Sequence, residues 1–444
     1  MQPNTCHNWQ PLVLDRISIE TLRAPGYRRF ILDAAVVPGC RLLLARHQRR
    51  PDWPFVETKF NPNTGCDLPA AAYNIIHTWF LGRGSEALDE HLRILDACDA
   101  LTADERATIR TLFAAWIDNM ARTMADLERR YGQTIPFRVD RTLAAVDAQG
   151  KPLDPSAVQA DAADIFCAKG LLSSRDPARQ ACGLRLLRSA ATRVQRNEPE
   201  QSTQTPGVGG VGQGTRMLMQ GAGTCFARKA LDPAARDEAL DLAAAMLGEV
   251  LNRHYNPETS RFSEYYDAET RQPEPYLDPG HAAELAGLGL GMLEQLEQSA
   301  LSTRHAALIV RSRRELPRIL LQAVALGYNP RHPGLFKGVN NRTGEPMNLE
   351  MPWWNLPEAM RAAVRAHAVA ESDSIRIRCL EAFRLCHNAY FSHYPNRDNL
   401  LFPFQTRDGQ TGKVLDVVPA VPEGDPLYHA NGAFLDMLEV LAKL

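Results

Sequence analysis

From about residue 69 to the end of the chain, apolar residues recur at i, i+3 and i+4, the spacing of one buried helix face. Eleven segments carry it: 69–95, 103–130, 158–170, 175–195, 214–231, 234–253, 281–297, 302–327, 353–370, 373–390 and 428–443. Several have start signals. Thr102 precedes ADERATIR, with acidic residues in the first turn, and Asp232-Pro233 precedes AARDEALDLAAAML. Helices of similar length joined in pairs suit a solenoid or a closed ring of helix pairs. No fixed sequence period is present, which argues against a repeat array. The pattern therefore predicts an all-α toroid of inner and outer helices, whose long Gly- and Pro-bearing loops gather at one end and build a site.

The first 67 residues read differently. RISIETLRA, RRFILDAAVV and CRLLLARH are short and rich in apolar and β-branched residues, and Pro25-Gly26 and Pro38-Gly39 interrupt them. They predict a small β-rich N-terminal extension over 1–67, before a helical catalytic domain over 68–444. FRVDRTLAAVDAQGKPLDP predicts a hairpin with its turn near Asp147–Gly150.

Composition narrows the function. Lys and Arg total 50 against 52 Asp and Glu, a net charge of −2, with no basic block or stripe. Nothing in that balance marks a nucleic-acid partner. No apolar run reaches bilayer-spanning length, and the N-terminus lacks the basic and apolar regions of a secretory signal. The nine cysteines form no C-x-x-C pair and have no zinc-type spacing. They read as reduced thiols of a cytoplasmic protein, a monomer or homodimer, without metal or cofactor.

Four constellations could carry chemistry. In LDPGHAAELAGLGLGML, a Pro-Gly turn leads into a helix that places His281 at its start and Glu284 one turn on, on the same face. A carboxylate there can orient the imidazole, the natural proton-transfer group near neutral pH. The plain alternative is a helix-start histidine with an ordinary first-turn acid. His429 opens the last helix in DPLYHANGAFLDMLEVL. Arg83 lies between Gly82 and Gly84, which permit close approach or simply tight packing. Trp353 and Trp354 precede Glu358 in MPWWNLPEAMRAAVRA, offering aromatic faces for sugar rings or for the core.

Together and in this order the motifs resemble the N-acylglucosamine 2-epimerase superfamily, which includes cellobiose 2-epimerases, mannose isomerases and related aldose–ketose isomerases. The resemblance runs from about Leu68 to the C-terminus. It rests on FLGRGSEAL with Arg83, on the 137–155 hairpin, and on HYNPETSRFSEYYD with Glu264. It also rests on Pro279-Gly280-His281 with Glu284, on Trp353-Trp354 with Glu358-Ala359, and on Tyr428-His429. It implies an (α/α)6 barrel and a cofactor-independent isomerase acting at C2 of a reducing sugar through an enediolate. His281 and His429 would be the acid–base groups, Glu284 and Glu358 would orient them, and Arg83 would stabilise the enediolate. Trp353, Trp354, Glu358, Glu264 and Arg216 would bind substrate.

The sequence departs from the family in one respect. Where members carry M-H-L-L-E-A, this chain reads RMLMQGAG, so Met217 stands at the family histidine. With one histidine fewer, the expected reaction is aldose–ketose isomerisation, with 2-epimerisation as the alternative. The preceding TPGVGGVGQGTR lacks the ending of a phosphate-binding loop, and its 206–214 stretch reads as a mobile loop over the site. Two rivals stay open: a glycoside hydrolase using Glu284 and Glu264, and a sugar-binding protein without catalysis.

Overall fold

The computed structural model describes residues 10–197, 210–396, 405–416 and 423–444. The helices are α1 (Ile19–Arg23), α2 (Pro25–Ile31), α3 (Val37–Arg49), α4 (Thr78–Ile94), α5 (Ala103–Tyr131), α6 (Ala162–Leu171) and α7 (Pro177–Gln195). They continue with α8 (Gly214–Lys229), α9 (Pro233–Arg253), α10 (Pro279–Glu297), α11 (Ala306–Gly327), α12 (Asn355–Val369), α13 (Asp373–His393) and α14 (Ala433–Lys443). Local chemistry sets the starts. Thr102 and Glu105 close a capping box on α5, and Asp161 and Asp164 close one on α6. Asp176, Asp232 and Asp278 cap α7, α9 and α10, each followed by a proline whose missing N–H costs nothing there.

These helices close a ring. α4, α6, α8, α10, α12 and α14 pack side by side, and the turn before α14 returns to α4. Outside them α5, α7, α9, α11 and α13 each pack on the preceding inner helix. The outer partner of α14 is the N-terminal segment, so the sixth pair joins the two ends of the chain. The architecture is an (α/α)6 barrel.

That pairing corrects the β-rich extension expected over 1–67. Residues 19–49 are helical, α2 running into α3 through a π-helical turn at Leu32–Val36. Tyr27, Ile31, Val36, Cys40 and Leu43 are buried. Phe30 meets Phe391 edge-on at 4.8 Å and Tyr27 lies 6.3 Å from Phe383, so this segment packs on α13. Pro25 and Pro38 stand in the first turns of α2 and α3, where proline is tolerated, rather than at strand ends.

Short strand pairs sit at the mouth, where the inner helices begin. Ile76–His77 pairs with Arg138–Val139 and leads into α4, and the expected hairpin turn closes with Gly150 donating to the Asp147 carbonyl. Val211–Gly212 leads into α8, Tyr276–Leu277 into α10 and Glu350–Pro352 into α12. The positive ends of the inner-helix dipoles therefore face one opening. Of the glycine-rich 206–214 stretch, residues 206–209 lie outside the described residues.

α4 and α6 cross at backbone contact. A Cβ on Gly82 would lie 2.3 Å from the Phe166 carbonyl, and one on Gly170 would lie 2.7 Å from Gly82 Cα. Gly82→Ala is therefore expected to lower the unfolding free energy by about 3 kcal/mol, because a backbone neighbour cannot yield. Thermal melting of the variant checks this; an unchanged midpoint would contradict it.

Candidate active site

His281 is placed by the start of α10. Asp278 accepts hydrogen bonds from the Gly280 and His281 amides at 3.0 and 3.2 Å. A Cβ on Gly280 would lie 2.0 Å from Asn355 Oδ1, so glycine lets the start of α10 touch the start of α12. The His281 Nδ1 lies 2.9 Å from Glu264 Oε1 and 3.4 Å from Asp278 Oδ2, and 27% of its side chain stays exposed. Glu264 is itself held: its other oxygen accepts from Gln213 Nε2 at 3.1 Å. Lys337 Nζ donates to Asp278 at 2.5 Å. Burial opposes charge on His281 and Lys337 adds to that, but Asp278 and Glu264 outweigh both and raise its pKa above the ordinary histidine value.

His429 is placed by an unusual backbone. Leu427 holds φ +71, rare for a bulky side chain, and Tyr428–Gly432 form a π-helical turn. Asp425 secures that turn by accepting from the Tyr428 and His429 amides, the latter at 3.5 Å. The buried His429 ring has Nδ1 3.0 Å from Glu358 Oε1. Trp354 stacks on it at 6.2 Å and Trp353 meets it edge-on at 6.2 Å. Burial, followed by Arg83, drives its pKa well below the ordinary value, with Glu284 opposing and Arg361 and Lys169 adding to the fall.

The two histidines belong to one mouth. The Glu284 carboxylate, one turn beyond His281, lies within 4.8 Å of both His429 and Glu358 at their ligand atoms. Lys337, bonded to Asp278 beside His281, sits 5.5 Å over the Trp354 ring that stacks on His429. Each Nδ1 donates to a carboxylate in the assignment these partners favour, a contact that leaves each Nε2 uncommitted.

Arg83 completes the cluster. Its guanidinium lies over Trp79, Phe166 and Tyr428 at 4.4, 4.2 and 4.9 Å, and its buried Nε has no hydrogen-bond partner. Among the described residues no carboxylate pairs with it, so its donors are open to substrate.

Two expected roles change. Glu284 does not orient His281; that task falls to Glu264 and Asp278, because the side chain one turn along α10 points down into the barrel towards His429. Arg216 does not reach the mouth. It is 2% exposed and spends its donors on Glu249, the Gly212 and Val194 carbonyls and Asn197, on the outer-helix side of α8. Trp353 and Trp354 frame His429, and Trp354 is only half-buried. Met217 is buried beside Gln213, whose Nε2 is 3.8 Å from its sulfur. Sequence reasoning passed over Asp278, Gln213, Lys337 and Asp425. Of these only Asp278 carried a signal, as the cap before Pro279.

Comparison with known proteins agrees with this geometry. The family model for N-acylglucosamine 2-epimerase (GlcNAc 2-epimerase) matches residues 186–433, more than half of the 444. The chain belongs to that family. It is thereby an isomerase-class enzyme of carbohydrate chemistry. A sugar epimerase from a ruminal bacterium superposes with a TM-score of 0.67 at 14% identity, over 96% of this chain and 100% of the other. Cellobiose 2-epimerase from Bacillus thermoamylovorans B4167 gives 0.66 at 11%, over 95% and 99%. D-mannose isomerase gives 0.64 at 14%, over 97% and 100%. At such identities the likeness is one of fold. No curated protein sequence matches the chain. Among the described residues, no helix is long and apolar enough to cross a membrane.

Glu284, Glu358 and His429 are close enough to surround a cation. Their charge is already met, by Arg361 bonded to Glu358 and by Arg83 and Lys169 nearby. Turnover is expected to survive EDTA. Loss with chelator, restored by a divalent ion, would contradict this.

Proposed function

We propose that this family member inverts C2 of a reducing sugar, moving the C2 proton between His429 and His281 through an enediolate and without a cofactor. The observation that carries the reading is the pair of imidazoles at one mouth, each braced by a carboxylate and pushed in opposite directions. His429 is pushed toward its neutral form, as a base requires, and His281 toward its protonated form, as an acid requires. Arg83, with open donors, faces the oxygen on which negative charge develops. A sugar between the rings loses a proton from one face of C2 and regains one on the other.

Aldose–ketose isomerisation, which the absence of a histidine at Met217 first suggested, needs only one base serving C2 and C1 on one face. Two differently poised bases favour inversion. A hydrolase would need Glu264 free, and Glu264 is committed to Gln213 and His281. Incubation with glucose, N-acetylglucosamine and cellobiose, followed by NMR, tests the proposal. A C2 epimer without ketose is expected; ketose alone, or cleavage of the disaccharide, would overturn it.

The pH profile follows from the same pair. Below the lowered pKa of His429 the base becomes protonated, so activity falls on the acid side at a pH under the ordinary histidine value of about 6.5. Above the raised pKa of His281 the acid is lost, so the alkaline fall lies above about 6.5. Both directions of reaction use the singly protonated pair and should share these limbs. A profile of kcat/KM with a single limb would contradict the assignment.

A further inference from the structure

Below the histidines, the inner helices enclose a polar cavity that runs from Glu358 and Tyr428 down to Asp436 and Glu439. Its upper wall holds Lys169, the one charged residue in the run IFCAKGL of α6, and only 2% exposed. Lys169 Nζ donates to Tyr428 Oη at 2.6 Å and pairs with Glu86 at 2.8 Å. Room for it exists because α8 carries glycine there; a Cβ on Gly221 would lie 3.2 Å from Nζ. A lysine so deep is tolerated because Glu86 and Tyr428 pair with it, in space cleared by an opposing glycine.

Its role follows from what it grips. Tyr428 adjoins His429 in the π-helical turn, with ring centres 5.0 Å apart, and Arg83 lies over the same tyrosine ring. We infer that Lys169 is a positioning residue of the site: it clamps Tyr428 from below and, with Arg83 and Arg361, sets positive charge against His429 so that His429 serves as the base. This rests on the proposed role of His429. The charged and titratable groups facing His429 are Arg83 and Glu86 from α4, Lys169 from α6 and Glu284 from α10. Glu358 and Arg361 face it from α12, and Asp425 and Tyr428 from its own segment. Removing one of the three cations tips this set toward the imidazolium, so the neutral form appears only at higher pH. The direction in which Lys169 acts on the His429 titration agrees with this.

The experiment compares Lys169→Met, which keeps the stem and removes the charge, with Lys169→Arg, which keeps the charge. The His429 titration is read by NMR of carbon-13 histidine, assigned by its loss in His429→Asn, and the acid limb of kcat/KM is read alongside. Lys169→Met is expected to raise both by about one pH unit with KM within about threefold, while Lys169→Arg stays near the parent. If circular dichroism shows Lys169→Met to be unfolded, Lys169→Met with Glu86→Gln removes both charges of the pair and is expected to move the titration upward by less, because the lost carboxylate acts the other way. An unmoved titration in the folded variant, or an equal shift in Lys169→Arg, overturns the inference. Because the NMR titration needs no turnover, its outcome is separate from whether the parent protein epimerises any sugar.

Discussion

His429→Asn and His281→Asn are each expected to reduce C2 epimer formation by a factor of about 10²–10⁴, the usual contribution of a general acid or base. The fold should survive both changes. His281 stands in the first turn of α10, mostly but not fully buried, where asparagine is tolerated. His429 is buried, but an amide can still donate to Glu358 and leave no carboxylate unpaired. Circular dichroism matching the parent, with the rate of C2 epimer formation collapsed, is the expected result. The two variants should both lose inversion, because the remaining histidine can return a solvent proton only to its own face of C2. Full epimer formation in either would remove that histidine from the mechanism.

Deletion of residues 1–50 is expected to abolish folding. A separate extension could be removed with little consequence; the outer helix of the sixth pair cannot. The deletion strips Leu22, Tyr27, Ile31, Val36, Cys40 and Leu43 from the core. At roughly 1.5–3 kcal/mol for each large apolar side chain, that loss rivals the whole net stability of about 5–15 kcal/mol. It also bares Phe383 and Phe391, on α13. Soluble yield and thermal melting of residues 51–444 measure this. A cooperative transition near that of the full chain would contradict the pairing of the two chain ends.

The reason that segment reads as strand in the sequence is physical. Tyr27, Ile31, Cys40 and Leu43 do recur at helical spacing, but Pro-Gly pairs interrupt the pattern twice. A first-turn proline and a turn-forming proline look the same until the neighbouring element is known. The π-helical turn at Leu32–Val36 also shifts the register between the two halves, so no single period spans them. From α4 onward the periodicity locates most helices to within a few residues; the exceptions are the start of α4, expected near 69 and found at Thr78, and the second π-helical turn at Tyr428–Gly432 before α14.

The site was legible where residues open an inner helix after a loop. Pro279-Gly280-His281 and Tyr428-His429 are local patterns, and their helix starts bring them to one mouth. The pairings were legible only in part, because the partners come from other elements: Glu358 was expected to orient a histidine, but Glu264 to bind substrate. Glu264 reaches His281 from a strand edge, and Glu358 reaches His429 from α12 across 71 positions of chain. Arg216 and Met217 are sequence neighbours on α8, about 100° apart around the helix, and sequence alone does not say which faces the barrel. Lys169 was passed over, although it is the one cation of α6, because its setting depends on Gly221 and Tyr428, which only the closed ring brings together.

The most direct measurement is the isotope at C2 after turnover in heavy water. An aldose substrate is incubated with the protein in D₂O, both sugars are recovered, and the C2 position of each is examined by NMR. Proton transfer between His429 and His281 through an enediolate predicts solvent deuterium at C2 of the epimeric product, with no ketose and no cleaved bond. Product formed with its original C2 hydrogen fully retained would contradict the account.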